Sequence, residues 1–161
     1  MSREGTSSGP GWRAALALAA FVVLLDQAAK EAVRSALEPG ERIDLILGVE
    51  LVDVSNRGIA FGLLGDGGEL VLAITIAALL AMLVWFAAQP SRPGLWIAVG
   101  LLAGGALGNL ADRARQDAVT DFLDPPLWPA FNVADIAITL GAVALVLAVF
   151  WNEPEPAAGD G

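Results

Sequence analysis

Four long apolar stretches, separated by polar segments of unequal length, organise this chain. Leu70 to Ala88 and Gly94 to Ala111 contain no charged residue, while Ala14 to about Ala36 and Val133 to Trp151 carry acids near one end. Each approaches the roughly 20 mostly apolar residues that a helix needs to cross about 30 Å of hydrocarbon. The pattern predicts an all-α membrane fold, a single membrane domain over residues 1–161. Its transmembrane helices are expected at about 12–36, 70–88, 94–112 and 132–151. Residues 1–11 and 152–161 are polar and rich in Gly and Pro, so they are expected to be disordered. Arg3 and Arg13 ahead of the apolar run Ala14 to Leu25 also fit a cleavable signal peptide, but no clean small-residue cleavage site follows. An even number of crossings returns both termini to one side, together with the short QPSRPG turn between the middle helices.

The two other connections are longer. Residues 37–69 hold a period-two pattern in Val49, Leu51, Val52 and Val54, which predicts a small sheet or hairpin between helices 1 and 2. It shares its membrane face with the loop from Asp112 to Ala130. Tryptophans test this arrangement, because the indole prefers the interface where its ring is buried and its N–H stays wet. Trp12, Trp85, Trp96 and Trp151 fall at the terminal side, and Trp128 at the other. Cations oppose it: Arg3, Arg13 and Arg92 lie on the terminal side, whereas Lys30, Arg34, Arg42, Arg57, Arg113 and Arg115 lie opposite. Counting Lys and Arg alone predicts the reverse orientation.

Composition then narrows the chemistry. With 56% hydrophobic residues and neither Cys nor His, the chain has no thiolate, no Ser-His triad and no His-based zinc site. The net charge of −9 argues against nucleic acid as a partner. What remains is carboxylates, hydroxyls and one lysine.

Two of the carboxylates stand out. Asp121 and Asp135 sit where hydrophobic segments enter the membrane, and a carboxylate there is costly unless paired, hydrated or protonated. A close pair suggests a dyad sharing one proton. Asn132 and Asp135, three residues apart, also fit a helix cap, a role compatible with chemistry. Asp124 is the decoy for Asp121. Asp26 and Lys30 lie four apart, acid first, as in a helical ion pair, with Lys30 snorkelling outward as the ordinary outcome. Asn109, Asp112 and Arg113 close the third helix. There Asp112 needs a partner, for which adjacent Arg113 is available, unless the Arg fork bonds backbone or substrate carbonyls instead. Gly100, Gly104, Gly105 and Gly108 fit small-residue helix packing. Asn56 is either a turn residue or, like Asn132, an amide able to hold substrate backbone or orient an aspartate.

The blocks DQAAK, NRGIAFG, GGALGNLADR, VTDF and FNVAD occur in this order across residues 26 to 136, and in them the chain resembles the lipoprotein signal peptidases (signal peptidase II). The resemblance implies four helices with a small extracytoplasmic β-cradle and cytoplasmic termini, overruling the Lys/Arg count. It implies a monomer, multi-pass in the bacterial cytoplasmic membrane among membrane lipids. Its activity would be that of an aspartic endopeptidase, without metal or cofactor, that removes signal peptides from diacylglyceryl-modified prolipoproteins by cutting before the lipidated cysteine. The catalytic aspartates fall on Asp121 and Asp135. Asn56, Gly58, Asn109, Asp112, Arg113, Asn132, Asp26 and Lys30 are implied as substrate-binding or site-supporting. Ile59 departs from the small residue usual beside NRG.

Two rival readings have their own signatures. A serine/lysine peptidase would use Lys30 as base for Ser35 or Ser55, though neither serine lies in a motif. A small transporter would bind protons or cations on its intramembrane acids, yet no inverted repeat is visible.

Overall fold

The computed structural model describes residues 10–38, 40–57, 68–89 and 92–150. In chain order its elements are α1 (Pro10–Ala36), β1 (Ile43–Asp44), β2 (Glu50–Asn56), α2 (Gly68–Ala88), α3 (Leu95–Gln116), β3 (Val119–Asp124) and α4 (Val133–Phe150). The molecule is thus mostly helical, with a small antiparallel sheet ordered β1-β2-β3. Among the described residues, α3 and α4 are long and apolar enough to cross a membrane, and Ala73–Ala88 of α2 is a shorter apolar helix. Gly58, Ile59 and Trp151 lie outside the described residues, as do the predicted disordered segments except Pro10 and Gly11. Those two are helical: proline is favoured in the first turn, where its missing N–H costs nothing.

Contacts at glycines fix how the helices run. A Cβ on Gly100 would meet Leu18, one on Gly104 would meet Val22 at 2.6 Å, and one on Gly108 would meet Asp26. Both series rise by four, so α1 and α3 lie parallel with backbones in close approach, as small residues permit. Gly105 abuts Ala134 and Ile138, and Gly141 abuts Leu101 and Leu102, which sets α4 antiparallel to α3. At one end, Ala15, Phe86, Leu95 and Val99 form a buried cluster ringed by Trp12, Trp85 and Trp96. The predicted grouping of these three tryptophans is therefore observed. Arg92, in the α2–α3 turn, donates from Nη2 to the Val149 carbonyl at 2.8 Å and from Nε to that of Ala148 at 3.1 Å. A cation thereby closes the C-terminal end of α4, where the helix dipole favours it.

The sheet occupies the opposite end, and differs from the predicted hairpin in one respect. Its third strand comes from the α3–α4 connection and carries Asp121, paired across from Val54. Val119, Thr120, Asp121 and Phe122 are all buried. A strand covered on both faces has no alternation to read, so VTDF shows no period of two. Phe122 packs with Val33 of α1 and with Leu37 just beyond its end, joining sheet to bundle. The chain then returns along Leu123, whose N–H and carbonyl both bond Phe131 at 2.9 Å, and so delivers Asn132 to the start of α4.

The third helix also runs further than expected. Asn109, Asp112 and Arg113 do not close it. It continues to Gln116 and ends at Asp117, which adopts a left-handed conformation with φ 54° while its N–H bonds the Arg113 carbonyl at 3.0 Å. Ala, Arg and Gln are strong helix formers, so the helix outlasts the apolar stretch used to predict its end.

Candidate active site

Five elements, α1, β2, α3, β3 and α4, converge on one buried polar network. Asn132 precedes α4 as its N-cap. Its Oδ1 accepts the Asp135 N–H at 2.9 Å, and Asp135 Oδ2 accepts the Asn132 N–H at 3.2 Å, a reciprocal capping box. With Oδ1 committed to a donor, Asn132 must turn its Nδ2 the other way. That nitrogen donates to Asp121 Oδ1 at 2.6 Å, and also meets Asn109 Oδ1 and the Thr120 carbonyl, each at 3.2 Å. One residue therefore holds both candidate acids, from β3 and from α4. Asp121 Oδ2 accepts from Asn56 Nδ2 at 2.8 Å. The register explains that reach: Asn56 pairs with Val119, and alternate residues 119 and 121 share a face.

Behind the acids lies Lys30, 0% exposed. Its ammonium meets Asp26 at 2.8 Å, Asp112 at 2.9 Å and Asn109 Oδ1 at 3.1 Å. The predicted Asp26–Lys30 pair exists, but Lys30 does not snorkel outward. An ammonium only donates, so it fixes Asn109 with Oδ1 inward, and Asn109 Nδ2 donates to Asp135 Oδ1 at 2.9 Å. Asp26 Oδ1 accepts the Ala134 N–H of α4 at 2.9 Å. Asp112 Oδ2 accepts the Thr120 N–H of β3 at 3.1 Å. The two acids around Lys30 thus anchor the two segments that carry Asp121 and Asp135. Among the described residues, no buried side-chain nitrogen or oxygen lacks a hydrogen bond.

Asp121 is 2% exposed. Burial pushes its carboxyl up; the Asn56 amide opposes this, the charge of Asp135 adds to it, and the Asn132 amide and Lys30 oppose it. The balance lies at about 6. At mildly acidic pH this acid holds a proton. The decoy Asp124 is instead bridged, with Glu50, by Arg42 at the sheet edge.

Arg113 does not partner Asp112: among the described residues its side chain makes no ion pair, and Lys30, Gln27 and Thr120 satisfy that acid. Gln27 and Thr120 are participants that sequence reasoning passed over. Gln27 Nε2 donates to Asp112 Oδ1 at 3.0 Å and to the Gly108 carbonyl at 3.2 Å, and its Oε1 accepts from Arg115 at 2.7 Å. Thr120 Oγ1 accepts from Arg34 at 2.9 Å. The run Asp26-Gln27 followed by Lys30, one helical turn on, was the available signal. The serine/lysine alternative finds no geometry. Lys30 is locked between two carboxylates, and Ser35 is exposed with its hydroxyl donating to the Ala32 carbonyl at 2.9 Å.

Comparison with known proteins agrees. Residues 18–151 match the family model described as signal peptidase (SPase) II. The lipoprotein signal peptidase of Nitratidesulfovibrio vulgaris (strain DP4) is 43% identical over 159 residues, covering 92% of this chain and 96% of the relative. That of Pelotomaculum thermopropionicum is 45% identical over 132 residues, covering 81% and 87%. A solved bacterial membrane enzyme, determined by the in meso method at 1.9 Å resolution, superposes with a TM-score of 0.77 at 29% identity, covering 86% of this chain and 94% of that one. The fold, with its carboxylates and without Cys or His, is that of a membrane aspartic peptidase. The chain belongs to the signal peptidase II family.

Proposed function

We propose that the protein removes signal peptides from diacylglyceryl-modified prolipoproteins, cutting before the lipidated cysteine with Asp121 and Asp135 as its catalytic pair. The observation that carries this reading is the hold of Asn132 on both carboxylates, together with an Asp121 carboxyl raised to about 6. Two acids that share surroundings and a single proton can divide the work. The ionised carboxylate takes a proton from water, whose oxygen attacks the scissile carbonyl, while the protonated partner gives its proton to the carbonyl oxygen. Collapse of the resulting gem-diol, with a proton passed to the departing amine, breaks the C–N bond. The pair titrates jointly, and no metal or cofactor is invoked.

In this reading all four helices cross the bacterial cytoplasmic membrane as a single domain, with both termini cytoplasmic and the sheet outside. A ring of Trp12, Trp85 and Trp96 suits one interface. Four of the six cations that opposed this orientation are engaged in the fold: Lys30 with Asp26 and Asp112, Arg34 with Thr120 and Glu31, Arg42 with Glu50 and Asp124, and Arg115 with Gln27. The protein acts as a monomer among membrane lipids. The test is cleavage by purified full-length protein in nanodiscs, offered a diacylated lipobox peptide and its unlipidated counterpart, with a chelator control. Cleavage of the lipidated peptide alone, indifferent to chelator and lost in Asp121→Asn and Asp135→Asn, is expected. Near-normal turnover by either variant overturns the assignment.

A further inference from the structure

The most exposed large hydrophobic side chains among the described residues are not on the helices. Leu127 is 96% exposed and Leu47 90%, above every residue of the apolar helix faces. They stand at the tips of two sheet-end turns far apart in sequence, flanked by Trp128 at 71% and Ile46 at 72%. The tips are neighbours: a Cβ on Gly48 would touch the Pro126 ring at 3.7 Å. Leu47 holds its position at φ 56°, a left-handed conformation that non-glycine residues adopt only at a cost in backbone strain. Neither LILGV nor PPLWPA contains a charge, and at their base Arg42 bridges Glu50 and Asp124. A contiguous uncharged apolar tip facing water is disfavoured and marks an interaction surface.

Its level identifies the occupant. The 18 residues of α4 rise about 27 Å, close to one hydrocarbon thickness, so its two ends mark the two membrane boundaries. Trp128 lies four residues before the Asn132 cap, at the boundary opposite the Trp12–Trp85–Trp96 ring, and an indole at that depth is an interfacial anchor. We propose that the 46–47 and 127–128 tips form one wedge that dips into the boundary between headgroups and acyl chains of the outer leaflet. There it pins the sheet, and with it Asp121 on β3, against the membrane surface. The proposal rests on the four-crossing orientation, not on the catalytic roles of the acids.

The chain lacks cysteine, so single-cysteine variants label uniquely. Leu47→Cys, Leu127→Cys and, where the strained turn objects, Ile46→Cys are made in the full-length protein. Each is labelled with a nitroxide and placed in phosphatidylcholine/phosphatidylglycerol nanodiscs without substrate. Collision with oxygen is compared with collision with a water-soluble nickel chelate. Glu41→Cys supplies the aqueous reference, and Leu140→Cys, on the exposed face of α4, the acyl-chain reference. Both tips are expected to favour oxygen several-fold over the Glu41→Cys reference, at a depth shallower than Leu140→Cys. Water-like values at both tips, or spin–spin broadening that reports a second copy seated on them, overturn the proposal. A water-like Leu140→Cys would instead sink the four-crossing orientation.

Discussion

Asn132 and Asp135 each satisfy the other's backbone N–H with a side-chain oxygen, at 2.9 and 3.2 Å. A helix cap and the alignment of a carboxylate are here the same pair of hydrogen bonds, and the Nδ2 left over reaches Asp121 at 2.6 Å. Cap and site can be separated by substitution. Asn132→Ala loses both, with a stability loss of about 1 kcal/mol for the cap. It also loses a hydrogen bond to a charged group worth roughly 1.5–3 kcal/mol, equivalent to about 10–150-fold if lost from kcat/KM. Asn132→Ser restores a cap acceptor but has no amide to reach Asp121. Thermal unfolding in nanodiscs should show the serine variant recovering the cap's share of stability over alanine, while lipopeptide cleavage stays as low as for alanine. Parallel recovery of both would mean that the amide serves the cap alone.

The direction of the Asp121 shift sets a pH dependence. Its carboxyl is raised from 3.8 to about 6 by burial, so the proton the pair must share is lost as pH rises through that value. The same sign applies to stability: the folded chain binds this proton more tightly than the unfolded one, so this contribution declines from about pH 4 to about 6. Asn56 favours the ionised form by donating at 2.8 Å. In Asn56→Ala the alkaline limb of kcat/KM should therefore move upward by about one unit, since one unit corresponds to about 1.4 kcal/mol. A limb that stays in place, or moves down, contradicts Asp121 as the proton holder.

How far the sequence carried the reading follows from what each signal measures. Apolar length located the helices because crossing hydrocarbon is a constraint on composition. It misjudged the end of α3, where Ala111 to Gln116 keeps helix propensity after losing hydrophobicity. The strand bearing Asp121 escaped because burial on both faces erases alternation. Asp121 and Asp135 stood out in the sequence as acids costly in a lipid setting, and Asn132 as a helix cap or an amide able to orient an aspartate. The partners of Asp112 were not, because Lys30 and Thr120 come from α1 and β3, and no local spacing encodes a contact between distant segments. Arg113 was preferred only for being adjacent.

Lys30 holds Asp26 and Asp112 from two directions, and all three side chains are fully buried. Removing one partner of such a cluster strands charge in a medium that cannot solvate it, a loss of about 3–5 kcal/mol. Lys30→Met should thus be among the most destabilising single changes, read as a fall in unfolding temperature or in yield of folded protein. Neutralising the remainder, as Lys30→Met with Asp26→Asn and Asp112→Asn, should recover much of the loss, because amides need no counter-charge. If the triple variant is worse than the single one, the hydrogen bonds of Asp26 to the Ala134 N–H and of Asp112 to the Thr120 N–H outweigh the charge cluster.

The close approach of α1 and α3 is the mechanical support for all of this, since α1 brings Asp26 and Lys30 and α3 brings Asn109 and Asp112. Gly104 is the tightest point between them: a Cβ there would stand 2.6 Å from Val22 Cβ and 2.9 Å from the Ala19 carbonyl. Val22 Cβ is fixed to the backbone and cannot swing aside, so Gly104→Ala must push the helices apart, at a cost of about 1–3 kcal/mol for overpacking. Val22→Ala does not remove that Cβ, whereas Val22→Gly does. The double variant Gly104→Ala with Val22→Gly should therefore regain stability relative to Gly104→Ala, while Gly104→Ala with Val22→Ala regains less. A double-mutant cycle on unfolding in nanodiscs measures the coupling. Strict additivity of the two substitutions would show that the helices already have room to part.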